Sequence, residues 1–120
     1  MPSNLVGVVD DDEDVRTSIE SLLRSAGYRP FCFRSAESFL ASSHRDIIDC
    51  LLTDFNMPGL NGLELHRKIA RDRPSLPVIL MTAFPTDVVR RDAEDQGVAG
   101  FFVKPIDGDL LIDKLEDVLC

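Results

Sequence analysis

The chain has 120 residues, 44% of them hydrophobic and 28% charged, with a net charge of -8 at neutral pH and a pI near 4.6. That length suits one compact domain with a single core, and the composition excludes both a disordered chain and a bilayer-spanning run. The acidic balance excludes a grip on a phosphate backbone, which needs clustered Lys and Arg.

Residues 1–120 are expected to form one domain. The opening Met1-Pro2-Ser3-Asn4 carries no basic stretch and leads straight into an apolar run, so no cleaved leader is expected and the chain is placed in the cytoplasm. Apolar runs of strand length recur at Leu5 to Val9, Asp46 to Leu52, Pro77 to Met81 and Val98 to Val103, with helical periodicity between them. Val15, Ile19, Leu22, Leu23 and Ala26 mark one face of a first helix that Gly27 is placed to stop. Arg29 to Phe33 suits an edge strand, and Ser35 can cap a short second helix through Phe39 and Leu40. Asn61 and Glu64 have capping-box spacing ahead of a third helix striped by Leu65, Ile69 and Ala70. Between Thr86 and Gln96 only Val88, Val89 and Ala93 are apolar, so the fourth helix is thinly anchored. The last helix, from about Gly108 to Leu119, has Leu110, Leu111, Leu115 and Val118 to hold it down. Five strands alternating with five helices predict an α/β, doubly wound parallel sheet covered on both faces.

In such sheets ligands bind beyond the carboxyl ends of the strands. Those ends carry Asp10-Asp11-Asp12, Asp54, Thr82 and Lys104. Each has an ordinary explanation alone: a helix cap, a turn former, a β-branched strand residue, a solvated cation. Capping accounts for one or two acids, however, not for Asp10, Asp11, Asp12, Glu13 and Asp14 in succession. Carboxylates ~4 Å apart repel by ~1 kcal/mol in water and ~4 kcal/mol at an effective dielectric near ~20. A cation relieves this, and an all-oxygen donor set suits Mg²⁺. Beside it, Asp54 becomes the nucleophile of choice for an acyl phosphate. Lys104 is one of only three lysines against ten arginines; its compact ammonium acts as a point charge for phosphate or carboxylate. Pro105 behind it predicts a rigid turn, cis or trans.

Among the remaining polar residues, His44 and His66 are expected to be solvated at the surface. Cys32, Cys50 and Cys120 follow no ligand or disulfide spacing and are expected to be free, buried thiols.

Four segments carry a family resemblance: Val8-Val9-Asp10-Asp11-Asp12, Leu52-Thr53-Asp54-Phe55-Asn56-Met57-Pro58-Gly59, Met81-Thr82-Ala83 and Phe102-Val103-Lys104-Pro105-Ile106. With them the chain resembles a response-regulator receiver domain of two-component signalling over essentially its whole length. Ser35-Ala36-Glu37-Ser38-Phe39-Leu40 and the overall spacing are most similar to nitrogen-fixation and LuxR-type regulators. The resemblance implies a flavodoxin-like sheet of order 2-1-3-4-5, with Asp54 as phosphoacceptor and Mg²⁺ held by Asp10, Asp11, Asp54 and the Asn56 backbone carbonyl. Asp12 is then a bystander. Thr82, Lys104 and the Ala83 backbone meet the phosphoryl group, and Phe101 turns inward to reshape the face made by helix 4, strand 5 and helix 5. It also implies a sensor histidine kinase or phosphotransfer protein as donor, a phosphorylation-dependent homodimer through that face, and control of transcription by an attached or separate DNA-binding domain. The domain would regulate rather than catalyse, with slow self-dephosphorylation only. Two features depart from the pattern: Ala83-Phe84-Pro85-Thr86-Asp87 lacks the glycine-rich loop common in those relatives, and Phe stands at position 101 in place of Tyr.

A haloacid-dehalogenase-type phosphatase also uses an Asp, a Thr, a Lys and Mg²⁺. It places a general-acid Asp two residues after its nucleophile, normally following the first strand; this chain has Asn56 there and its nucleophile after the third. A degenerate receiver serving only as a protein-binding module would not need every one of these site residues.

Overall fold

A computed structural model describes residues 4–119. Five strands, β1 (Leu5–Val9), β2 (Arg29–Phe33), β3 (Cys50–Asp54), β4 (Val78–Thr82) and β5 (Gly100–Val103), alternate with α1 (Glu13–Ser25), α2 (Ala36–Leu40), α3 (Gly62–Asp72), α4 (Asp87–Gln96) and α5 (Gly108–Leu119). The strands lie in the order β2-β1-β3-β4-β5, every neighbouring pair parallel. This is the doubly wound, flavodoxin-like sheet expected from the sequence.

Strand alternation divides the core between the two faces of the sheet. Val6, Val8, Cys50, Leu52, Ile79 and Met81 meet Ile19 and Leu23 of α1 and Leu111 and Leu115 of α5. On the other face Val9, Leu51 and Val78 meet Phe39 of α2 and Leu65 and Ile69 of α3. A smaller third cluster, Leu63, Leu80 and Ala93 with Val89 and Phe101 against it, carries α4. Ala93 is the only buried residue of α4, so that helix has the thin anchorage its composition foretold.

The helix ends follow local chemistry. Asp12 Oδ1 accepts from the Asp14 and Val15 amides at 2.8 and 3.2 Å and caps α1. Ser35 and Thr86 cap α2 and α4, and Asn61 and Glu64 close the full capping box of α3. Gly27 and Gly97 take positive φ, +91° and +78°, beyond the ends of α1 and α4.

Three strand expectations shift. The segment from Asp46 begins not β3 but the end of a 3₁₀ turn, Ser43–Asp46, and β3 runs from Cys50 to Asp54. Ser42 caps that turn, and the Arg73 guanidinium, rather than a neighbouring strand, satisfies the carbonyls of Arg45 and Ile48 at 3.0 and 2.7 Å. Pro77 stays just outside β4, although its carbonyl accepts from Leu51 N at 3.0 Å. Val98 lies just past the Gly97 cap of α4, its amide closing that helix end by donating to the Ala93 carbonyl at 3.2 Å, so β5 begins only at Gly100.

The histidine expectation is overturned. His66 is buried where α3 faces α4, because the stripe Leu63, His66, Ile69 continues the apolar face at helical spacing. Burial holds its pKa below the usual value. His44 is half-buried, its ring stacked on Phe31 with centroids 4.1 Å apart. Cys50 is buried and Cys32 half-buried, both free; burial pushes their thiols up to about 12 and about 11, Glu20 adding to the effect at Cys32. Cys120, like Met1-Pro2-Ser3, lies outside the described residues.

Gly62 sits where the chain comes too close for a side chain. A Cβ there would stand 2.5 Å from the Asp54 carbonyl oxygen and 2.6 Å from Leu80 Cδ1. Gly62→Ala is therefore expected to destabilise the fold by about 1–3 kcal/mol through displacement of the strand end it touches. Urea denaturation checks this, and an unchanged midpoint would contradict it.

Candidate functional site

The register of the sheet brings the strand ends level. Val9 sits opposite Phe33 and Thr53, Asp54 opposite Met81, and Thr82 opposite Val103. Asp10, Asp54, Thr82 and Lys104 therefore emerge along one edge, with Asp11 one residue beyond.

Asp10 is wholly buried and held at every polar atom. Its amide donates to the Phe33 carbonyl at 3.1 Å, and its carbonyl accepts from Arg16 Nη1 at 2.7 Å. Oδ1 accepts from the Asp12 amide at 2.9 Å, and Oδ2 pairs with Lys104 Nζ at 2.6 Å. Lys104 Nζ also lies 3.3 Å from Asp54 Oδ1. One carboxylate oxygen each from Asp10, Asp11 and Asp54 falls within 4.8 Å of the other two, with Asp11 exposed. Three carboxylates therefore face a single ammonium, an excess of two negative charges. The oxygen-only donor set, crowded and undercompensated, fits a hard divalent cation.

The electrostatics register the crowding. Burial, then the Asp10 charge, push the Asp54 carboxyl up to about 6, against the downward pull of Lys104. Burial alone would disfavour the Lys104 charge, but the Asp10 and Asp54 carboxylates outweigh it and raise its pKa.

Thr82 is wholly buried. Its hydroxyl donates to Asn56 Oδ1 at 2.9 Å and accepts from the Phe84 amide at 3.1 Å, while its carbonyl accepts from the Lys104 amide at 2.8 Å. Ala83 follows at the exposed start of the loop to α4. Phe101 stands apart from this edge, half-buried under α4, with the Arg90 guanidinium carbon 4.6 Å from its ring centroid. The Lys104-Pro105 peptide is cis. Beside Lys104 a groove of about 440 Å³ opens between Val15, Ile19 and Leu22 of α1 and Pro105 and Ile106.

Sequence reasoning singled out neither Arg16 nor Glu37. Glu37 Oε2 accepts from the Leu60 amide at 2.9 Å and so ties α2 to the loop that follows Asp54; that amide lowers its pKa. Arg16 lies four residues past the Asp12 cap, one helical turn into α1, a spacing that could have pointed it back at the strand end. No spacing signals the long-range contact of Glu37.

Residues 6–116 match the family model described as the response regulator receiver domain, and the chain belongs to that family. The DNA-binding transcriptional regulator NtrC of Salmonella typhimurium is 36% identical over 116 residues, 97% of this chain and 25% of that protein. The transcriptional regulatory protein FixJ of Bradyrhizobium diazoefficiens is 31% identical over 112 residues, 93% of this chain and 55% of that protein. The chain thus spans between a quarter and about half of the length of these two relatives. In fold it is similar to the chemotaxis protein CheY4 of Vibrio cholerae, with a TM-score of 0.90 over 98% of this chain and 100% of that one at 24% identity. It is a regulatory phosphoacceptor domain. No helix among the described residues is long and apolar enough to cross a membrane.

A carboxyl with a higher pKa in the folded than the unfolded state binds its proton more tightly when folded. For Asp54 that contribution to stability is complete below its ordinary 3.8 and lost as pH rises through about 6. At pH ~7 in EDTA, Asp54→Asn is expected to stabilise the protein by about 1–3 kcal/mol. The gain should fade as pH falls towards ~4. Urea denaturation across that range measures it; equal or lower stability of the variant at neutral pH would refute the charge assignment.

Proposed function

We propose that residues 1–120 act as one receiver unit in which Asp54 accepts a phosphoryl group from a phosphohistidine on a sensor kinase or phosphotransfer protein. The observation that carries this reading is the meeting of Asp54 with Asp10, Asp11 and Lys104 at one strand edge.

An Asp54 carboxylate oxygen attacks phosphorus in line as the bond to the donor's imidazole nitrogen breaks; the bonding pair stays on that nitrogen, which takes a proton from water, leaving an acyl phosphate and a neutral histidine. Mg²⁺ held by Asp10, Asp11, Asp54 and the Asn56 carbonyl would orient and neutralise the phosphoryl oxygens. Lys104, already between Asp10 and Asp54, exchanges part of that pairing for a phosphoryl oxygen. Thr82 and the Ala83 amide supply hydrogen bonds, and no residue acts as a general acid, Asn56 standing where the phosphatases carry an Asp. The work is positioning and charge neutralisation, with self-dephosphorylation slow. The groove beside Lys104 leaves room for a donor protein to bring its histidine to the edge.

Movement of Thr82 towards the phosphoryl group frees Phe101 to turn inward under α4, the helix with least holding it. The altered α4–β5–α5 face then pairs with a second copy or signals to a DNA-binding output in the cytoplasm. The acidic chain itself does not contact nucleic acid.

Incubation with a small phosphodonor and Mg²⁺ is expected to add the mass of one phosphoryl group, and Asp54→Asn or chelation to abolish the gain. Intact-mass spectrometry decides: no added mass on the wild type, or an adduct surviving Asp54→Asn, sinks the assignment. Lys104→Ala should keep some phosphorylation but lose the accompanying change at Phe101, followed by aromatic NMR signals; full coupling in that variant would count against Lys104 as transmitter.

A further inference from the structure

The Thr82 hydroxyl is occupied on both sides. Its oxygen receives the Phe84 amide at 3.1 Å, so its proton needs an acceptor elsewhere, and Asn56 Oδ1 stands 2.9 Å away. A hydroxyl has one proton to give, and here it goes to the carboxamide oxygen. The partners differ in burial. Thr82 is wholly buried and Asn56 exposed, so a side chain with free access to water is spent on a buried hydroxyl 26 residues away.

We propose that the Asn56 side chain is the latch that holds Thr82 in its phosphate-free orientation, so that a phosphoryl group on Asp54 must take the Thr82 proton away from it. The inference rests on the phosphoacceptor reading of Asp54. It gives Asn56 a second role, separate from that of its backbone carbonyl: the main chain would help hold Mg²⁺ while the carboxamide restrains the switch. Asn56 is a positioning residue here, acting through Thr82.

The chemistry sets the direction of the exchange. A carboxamide oxygen is a neutral acceptor, whereas phosphoryl oxygens are anionic and take hydrogen bonds roughly twice as strong. The latch is therefore weak enough to yield to the phosphoryl group and strong enough to matter without it. Loss of one neutral hydrogen bond corresponds to about a five-fold change in a two-state ratio. The loop bearing the latch is itself fixed, by Glu37 on the Leu60 amide and by the Phe55 amide donating to the Met81 carbonyl at 2.7 Å. The carboxamide thus starts from a defined place.

NMR of the whole chain, labelled at backbone nitrogens and methyl carbons, reads the latch directly. Without donor or Mg²⁺, Asn56→Ala should move the Thr82 methyl signal and the Thr82 to Phe84 amide signals along the line joining unphosphorylated and phosphorylated wild type. The switched fraction should rise about five-fold. Asn56→Asp, which keeps an acceptor oxygen, should stay at the wild-type end of that line. In a Thr82→Val background, Asn56→Ala should produce no further movement of the Phe101 ring signals. Coincidence of the Asn56→Ala and wild-type spectra, equal displacement in Asn56→Asp, or persistence of the shift without the hydroxyl would each overturn the latch. Intact mass separates the two possible failures. A wild type that gains no phosphoryl mass removes the phosphoacceptor reading; one that gains it, while Thr82 stays unmoved in Asn56→Ala, removes the latch alone.

Discussion

Lys104 Nζ is caught between Asp10 at 2.6 Å and Asp54 at 3.3 Å, with the Asp11 carboxylate close behind. One ammonium cannot balance three carboxylates, and two of those three are buried, where charge is hardest to leave uncompensated. The surrounding structure serves to keep this arrangement from relaxing. Arg16, Phe33 and Asp12 fix Asp10 through its carbonyl, amide and Oδ1, and Gly62 lets α3 pack directly against the Asp54 carbonyl. The site is thereby built short of positive charge, and it gains from whatever supplies some. A phosphoryl group added at this edge would bring more negative charge, so its arrival and the binding of a divalent cation would be physically linked.

Away from the carboxylates the molecule becomes softer by degrees. The α1 and α5 face and the α2 and α3 face each have a continuous apolar core, whereas α4 rests on Ala93, Val89 and the contact of Arg90 with Phe101. Thr82 links the two regions, with its hydroxyl on Asn56 and its carbonyl on Lys104. A small change in the partners of one hydroxyl is thus placed next to the element that costs least to move, the combination a two-state switch requires.

The sheet, the five helices and the meeting of Asp10, Asp11, Asp54 and Lys104 were legible in the sequence because they rest on periodicity and on the rule for strand ends. Errors arose where local pattern and tertiary contact disagree. Ile47 and Ile48 imitate the start of a strand, yet Arg73, from beyond α3, claims the carbonyls there. His66 looks like a surface residue among charged neighbours, but its spacing from Leu63 puts it in the interface with α4. Asp12, which the resemblance leaves outside the metal set, caps α1, the ordinary role open to an acid in that loop. The side-chain role of Asn56 and the hold of Glu37 on Leu60 depend on contacts between residues more than twenty positions apart, which no local pattern encodes.

The central claim is that buried, undercompensated negative charge at the strand edge defines this site, and the stability of the protein as a function of Mg²⁺ concentration tests it most directly. Binding to the folded state alone should raise the free energy of unfolding with the logarithm of Mg²⁺ once the dissociation constant is passed. At neutral pH the urea midpoint of the wild type is expected to climb in this way, and Asp11→Asn should flatten the rise. A midpoint indifferent to Mg²⁺, or one that climbs equally in Asp11→Asn, would contradict the account.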